Sequence, residues 1–170
     1  MPRPQGLASA GGFSLVELIA VLVILGVLAA VALPRFQTLS DAAHRAAVAG
    51  TADGFRSALL LSNVACTLRG WAGRDNLPGY GDGTVDFNTA CFPTDTSGNA
   101  NTIGSTSARC QRVWNGILAL APSITTAAGG ADYRARANNQ VCTYLYLKDT
   151  ARTRQFTYDS RNGLVVLTNP

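Results

Sequence analysis

Few residues in this 170-residue chain are spaced to do chemistry, and Glu17 stands out among them. It is the only glutamate, the other nine acids all being Asp. It lies in the run Phe13–Leu33, where it is the one charged residue. A carboxylate inside a membrane-length apolar run costs roughly 2.5–3.5 kcal/mol to insert and calls for a partner. The sole histidine, His44, has Ala43 and Arg45 beside it and no Ser, Cys or acid at a catalytic spacing, which predicts a surface or subunit-facing side chain. No convergent set of His, Ser, Cys and acid supports catalysis, so neither an enzyme nor a cofactor is expected. Asp82-Gly83 and Asp86 offer oxygens and a turn glycine, but the spacing of an EF-hand loop is missing. A simple turn is the expectation there, and no metal.

Cys66, Cys91, Cys110 and Cys142 contain no C-x-x-C spacing, which argues against zinc and for two disulfides in an oxidising compartment. Four cysteines allow three connectivities. Short loops and an even split favour Cys66–Cys91 with Cys110–Cys142, without choosing among the three. The net charge of +4 rests on thirteen scattered Arg and a single Lys, so no nucleic-acid partner is expected. Arg134 and Arg136 with Arg152 and Arg154 could share one face of a sheet, read as solvated.

The elements that must position these residues begin with the apolar run. Leu18–Leu33 is unbroken, and from Phe13 a helix of this length spans about 30 Å, the thickness of a bilayer core. Pro34 removes a backbone donor and predicts a kink. Beyond it an alanine-rich helix continues to about Arg69, with Gly70 as its stop. Its expected apolar stripe is Phe36, Leu39, Ala43, Ala47, Gly50, Phe55, Leu59 and Ser62. A helix from Phe13 to Arg69 would be roughly 85 Å long, too long for a compact domain of this size. It must be embedded partly in a membrane or among neighbouring subunits.

Residues 70–108 are rich in Gly, Asn, Asp, Ser and Thr and read as loop, with one short strand at Thr84–Phe87 and a mobile segment from Asp95 to Ala108. Arg109–Ala121 reads as a short amphipathic helix ended by Pro122, with Cys110, Val113, Trp114, Ile117, Leu118 and Ala121 inward. From Asp132 the pattern turns to strands, with turns at Asn138-Asn139 and Ser160–Gly163. The expected fold is α+β, a long N-terminal helix packed on a C-terminal antiparallel sheet of three to four strands, with Cys110–Cys142 stapling the short helix to it.

Three readings compete for the N-terminal stretch. A signal peptide would use Arg3 and the small residues Ala30-Val31-Ala32, but leaves a charge inside its apolar core. A plain anchor leaves the Gly11-Gly12-Phe13 junction unexplained. The third rests on Gly12-Phe13-Ser14-Leu15-Val16-Glu17, which resembles the processing motif of type IV pilins and pseudopilins. The long helix, variable loop and C-terminal sheet are similar to type IV pilins as a whole. The segments GFSLVELIAVLVILGVLAAVALPRF, VDFNTACFP and CQRVW…VCTYLY look like the mannose-sensitive haemagglutinin branch of the type IVa group.

The resemblance implies that Met1–Gly12 is a leader cut before Phe13 by a prepilin peptidase, and that the new N-terminus at Phe13 is methylated. It implies four regions: 1–12 leader, 13–34 membrane and filament-core helix, 35–69 amphipathic helix, 70–170 globular head. Pro34 falls where many type IV pilins kink. Glu17 of one subunit would pair with the Phe13 amine of its neighbour and set register, since a slipped subunit would bury both charges unpaired. The simpler reading, Glu17 offsetting its own helix dipole, is compatible. The implied protein is held in the inner membrane, then polymerised with further copies and related pilins by the pilus assembly machinery into an extracellular filament for attachment to a surface receptor or glycan. A type II secretion pseudopilin and a minor pilin share the motif and remain as alternatives.

Overall fold

The computed structural model describes residues 14–98 and 101–169, so the cleavage and methylation positions Gly12 and Phe13 lie outside the described residues. Two compact units divide the chain, Met1–Asp41 and Ala42–Pro170, and each is described by itself. Helix α1, Leu15–Leu68, runs through both and contains Pro34 without interruption.

In the first unit the described residues of α1 are nearly all exposed. Twelve large apolar side chains between Leu15 and Val31 are exposed, from Val21 at 50% to Val16 at 75%. An 18-residue window of this helix has a mean hydropathy of 2.9 and no buried residue, so it is long and apolar enough to cross a membrane.

In the second unit α1 buries Val48, Ala52, Phe55, Leu59, Ser62 and Cys66. Their spacing alternates four and three, a single stripe of the helix. This corrects the expected stripe. Phe55, Leu59 and Ser62 belong to it, but Ala43, Ala47 and Gly50 are exposed, and in the first unit Phe36 and Leu39 are 66% and 65% exposed. Alanines all round the helix leave its phase undefined, and the large residues Val48 and Phe55 set it. The helix stops at Gly70, whose φ of +60° suits a residue without Cβ. Gly70 N–H donates to Thr67 O and Trp71 N–H to Cys66 O, the paired bonds of a Schellman cap.

The head follows. Strands β1 (Asp86–Phe87) and β2 (Pro93–Asp95) form a small antiparallel pair. Helix α2 (Ser107–Ile117) comes next, then β3 (Ile124–Thr125), β4 (Tyr133–Asn138), β5 (Val141–Tyr146), β6 (Arg154–Asp159) and β7 (Leu164–Thr168). The main sheet has the order β3-β4-β5-β6-β7. Four strands make the expected antiparallel meander. The fifth, β3, pairs in parallel with β4, so the sheet has five strands rather than three or four. Two residues are too few to show an alternation, which is why β3 escaped the pattern. At the β4–β5 turn Asn139 and Gln140 both have positive φ, the geometry of a two-residue hairpin loop. At the β6–β7 turn Gly163 has φ +71°, and the Phe92 ring occupies the space a Cβ would need.

The sheet, α2 and the distal part of α1 enclose one aromatic core. Phe55 lies between Tyr144, Tyr158, Phe156 and Trp114, with ring centroids 5.2, 5.5, 5.7 and 6.0 Å away. The polar tips are satisfied by backbone carbonyls. Trp114 Nε1 donates to Pro122 O, Tyr144 OH to Cys110 O and Tyr158 OH to Pro93 O. Trp114 is core, as its place on the apolar side of α2 suggested. Helix α2 ends at Ile117, ahead of Pro122, and Leu118 and Ala121 are only half-buried.

The expectation of a mobile segment from Asp95 to Ala108 is corrected for the described residues. Ile103 is fully buried, and the N–H groups of Ile103 and Gly104 both donate to Gln140 Oε1. One large apolar side chain is enough to pin an otherwise polar segment to the β4–β5 turn. Asp95 is buried and clamped by Arg112, with Nε 2.5 Å and Nη2 2.9 Å from its two oxygens, tying α2 to β2.

Because Phe55 packs against four rings at the core's centre, Phe55→Ala should lower stability by about 3–5 kcal/mol, and Phe55→Leu by clearly less. Urea unfolding of the full chain in detergent micelles, followed by near-ultraviolet circular dichroism, measures both. Equal, small losses would show that the core closes without this ring.

Candidate assembly site

The start of α1 is built by Ser14 and Glu17. Ser14 Oγ accepts the Glu17 N–H at 3.2 Å, while Glu17 Oε2 accepts the Ser14 N–H at 3.2 Å and the Ser14 hydroxyl at 3.3 Å. This reciprocal pair is a capping box, and it satisfies two of the donors that every helix N-terminus leaves open. The S-x-x-E spacing was legible in the sequence. Both residues follow the expected cut, so the cap survives leader removal. Its carboxylate bonds fall on Oε2, and a carboxylate accepts about four hydrogen bonds, which leaves capacity for an amine.

Pro34 lies inside α1, and no element ends there. The structure joins Cys66 to Cys91 and Cys110 to Cys142. The first ties the end of α1 to the turn before β2; the second ties α2 to β5. Closing loops of these lengths is worth about 3.5 kcal/mol each in the chain-entropy account. No cysteine among the described residues is free.

The other candidates take structural places. His44 is half-buried, with Nδ1 3.4 Å from the Tyr146 hydroxyl. Asp82 Oδ1 accepts the N–H and hydroxyl of Thr84, closing a turn, and these bonds hold its carboxyl below the usual range. Asp86 is buried and accepts the Asn76 N–H. Among the described residues no three His, Cys, Asp or Glu side chains gather as a metal site.

The four arginines do not share one solvated face, which corrects that expectation. Register opposes Arg134 to Leu145 and Gln155, whereas Arg154 is opposed to Tyr146 and Tyr133. Successive residues of a strand point to opposite faces, so Arg154 turns inward and is 1% exposed. Its Nε donates to Asp149 Oδ2 at 2.6 Å. That hydrogen bond, more than any other contact, holds the Asp149 carboxyl below its ordinary range. The N–H groups of Ala151 and Arg152 hold the other Asp149 oxygen.

Comparison with known proteins bears on the N-terminal region. A family model described as the prokaryotic N-terminal methylation motif matches residues 7–33. The chain is similar to a type IV narrow pilus major component, PilA5, of Thermus thermophilus, at 49% identity over 55 residues. That alignment covers 32% of this chain and 47% of the relative, so the chain spans about half the length of the curated relative it matches. No solved structure matches significantly. The motif, this relative and the helix-then-sheet architecture support a type IV pilin.

The cap separates two roles of Glu17. Ser14→Ala should loosen the first turn by about 0.5–2 kcal/mol. Glutamine serves a capping box as glutamate does, so Glu17→Gln should leave the first turn within about twofold of wild type. Hydrogen exchange of the amides of residues 15–18 in micelles reads both. Equal loosening by the two variants would deny the box.

Proposed function

We propose that this chain is a structural subunit of a type IV pilus. A prepilin peptidase removes Met1–Gly12 and Phe13 becomes the methylated N-terminus. The helix from Phe13 to Pro34 then holds the subunit in the inner membrane until the assembly machinery draws it into an extracellular filament of further copies and related pilins. The observation that carries this reading is the Gly12-Phe13…Glu17 motif running directly into a helix whose described apolar side chains are exposed. The matched relative is itself a pilus major component by its name.

Energy supports the need for such an environment. Burying a large apolar side chain is worth about 1.5–3 kcal/mol. Twelve of them come to roughly 20 kcal/mol or more on that scale, beyond the ~5–15 kcal/mol by which folded domains are stable. A membrane first and a bundle of like helices afterwards both meet the demand. In the bundle, Glu17 keeps its cap and pairs with a neighbour's Phe13 amine. Gly26 and Pro34 bracket the part of the helix where packing would most easily cost helicity. The role is structural and needs no catalysis. The head would carry attachment to a surface receptor or glycan.

Mass spectrometry of the mature protein should find N-methyl-phenylalanine at Phe13; a mature start at Leu33 would mean signal-peptide processing instead. Glu17→Gln should be cut and methylated, yet yield fewer than about one-tenth of the wild-type filaments, since a buried amine left unpaired costs several kcal/mol. Immunogold labelling of sheared fibres counts them, and label along whole fibres rather than tips marks a major subunit. Normal filament yield from Glu17→Gln would reduce the residue to its capping role.

A further inference from the structure

A row of rings crosses the second unit from its surface into its core. Ring centroids are 5.7 Å apart between His44 and Tyr146, 5.2 Å between Tyr146 and Tyr133, 4.9 Å between Tyr133 and Trp114, and 4.9 Å between Trp114 and Tyr144. Each step lies within the roughly 4.5–7 Å of touching aromatic pairs, close enough for an electron to pass from ring to ring. His44 and Tyr146 are half-buried, whereas Tyr133, Trp114 and Tyr144 are buried. Indole and phenol are the aromatic groups most readily oxidised by one electron, but a phenol keeps its radical only after giving its proton to a base. The bond that each hydroxyl makes therefore separates the five tyrosines. Tyr144 OH donates to Cys110 O, Tyr158 OH to Pro93 O and Tyr80 OH to Ala58 O, and an amide carbonyl is too weak a base to take the proton. Burial pushes the Tyr133 hydroxyl up to about 12, and no base is hydrogen-bonded to it among the described residues. The Tyr146 hydroxyl lies 3.4 Å from Nδ1 of His44, the chain's single histidine. With the ring hydrogen on Nε2, that nitrogen is an acceptor and a base.

We propose that Tyr146 is the site where one-electron oxidation of the head comes to rest, supplied from Trp114 through the Tyr133 ring, with His44 taking the phenol proton. The oxidant is of the peroxyl-radical class. It takes one electron from Trp114 and a proton from water, and leaves as the hydroperoxide. Trp114 Nε1–H donates to Pro122 O, again a carbonyl, so the indole radical cation keeps its proton. It recovers its electron from Tyr146, whose O–H bond breaks as the proton passes to His44 Nδ1. The 3.4 Å contact shortens as the oxidised phenol turns acidic, as proton-transfer contacts do when charge develops. Trp114 is restored, Tyr146 is left as a neutral tyrosyl radical, and His44 as imidazolium. A solvent reductant such as ascorbate then returns one electron to Tyr146, and His44 returns the proton. The buried rings are spared, and repair takes place at a half-buried side chain. None of this rests on the pilus reading.

The test uses the full chain in detergent micelles, with Trp71→Phe as background so that Trp114 is the one indole left. Azide radicals made by pulse radiolysis oxidise tryptophan, and transient absorption follows tryptophanyl and tyrosyl radicals separately. The tryptophanyl signal should decay as the tyrosyl signal grows, at one rate that does not depend on protein concentration. Tyr146→Phe should lose that growth and leave the tryptophanyl radical standing. His44→Gln keeps a polar partner but no base, and should slow the transfer about tenfold or more, as loss of a positioned base does. Tyr80→Phe should behave like the background. A second measurement needs no variant. Peptide mass spectrometry of wild-type protein treated with a thermally generated peroxyl radical should find Tyr146 oxidised before Tyr80, which is half-buried as well. Tyrosyl growth unchanged in Tyr146→Phe, a rate unchanged in His44→Gln, growth that scales with protein concentration, or oxidation of Tyr80 first would each overturn the proposal.

Discussion

One helix has to satisfy two environments, and the rest of the structure follows from that constraint. Residues 15–31 of α1 present exposed large apolar side chains, while Val48 to Cys66 bury a single stripe under an aromatic core. The two regions obey different rules. The first is apolar on every side, as a helix must be when the medium around it is lipid or other helices. The second is apolar on one side only, and Asp53 and Arg56 pair on its surface. Pro34 falls between them, where a lost backbone bond disturbs neither the buried stripe nor the cap.

Glu17 shows how a single side chain can serve two energy scales. Its capping bonds are worth about 0.5–2 kcal/mol, small beside the several kcal/mol at stake when a charge is buried without a partner. Capping alone therefore does not explain a carboxylate here. Asp, Ser or Thr at Ser14's position caps without a charge three residues on, and glutamine would close the box as well. Only the charge of Glu17 can neutralise an amine. A residue that caps its own helix through Oε2 is held by that cap in one orientation, so in the proposed filament the carboxylate would meet a neighbour's amine with little side-chain entropy left to lose.

What the sequence made legible followed its strongest periodicities. The unbroken apolar run, the four long strands with their turns and the inward side of α2 all rest on patterns of five residues or more. The misses have separate causes. Alanine-rich stretches carry no phase, so Ala43, Ala47 and Gly50 were placed inward until Val48 and Phe55 set the rotation. The parallel strand β3 is two residues long and has no pattern to find. Ile103 pins a polar loop because tertiary cover for one side chain outweighs local composition. Arg154 was counted by charge, when its parity in β6 already set it apart from Arg134. The Ser14–Glu17 box is legible as S-x-x-E, a four-residue signature that the charge of Glu17 masks.

The same two-environment constraint accounts for the covalent framework of the head. In the proposed assembly the helix exchanges lipid for other helices, and such a subunit needs a head that does not depend on what surrounds residues 15–31. The bond Cys66–Cys91 closes the head onto the last turn of α1. The bond Cys110–Cys142 fixes α2 against the sheet. Between them Phe55, on the helix itself, is surrounded by rings from α2, β5 and β6. The head thus grips the helix along the whole buried stripe, with a disulfide at its end and the Phe55 ring three turns earlier. Stability is then concentrated where the chain must stay folded, leaving the uncovered part of α1 to be stabilised by whatever it enters.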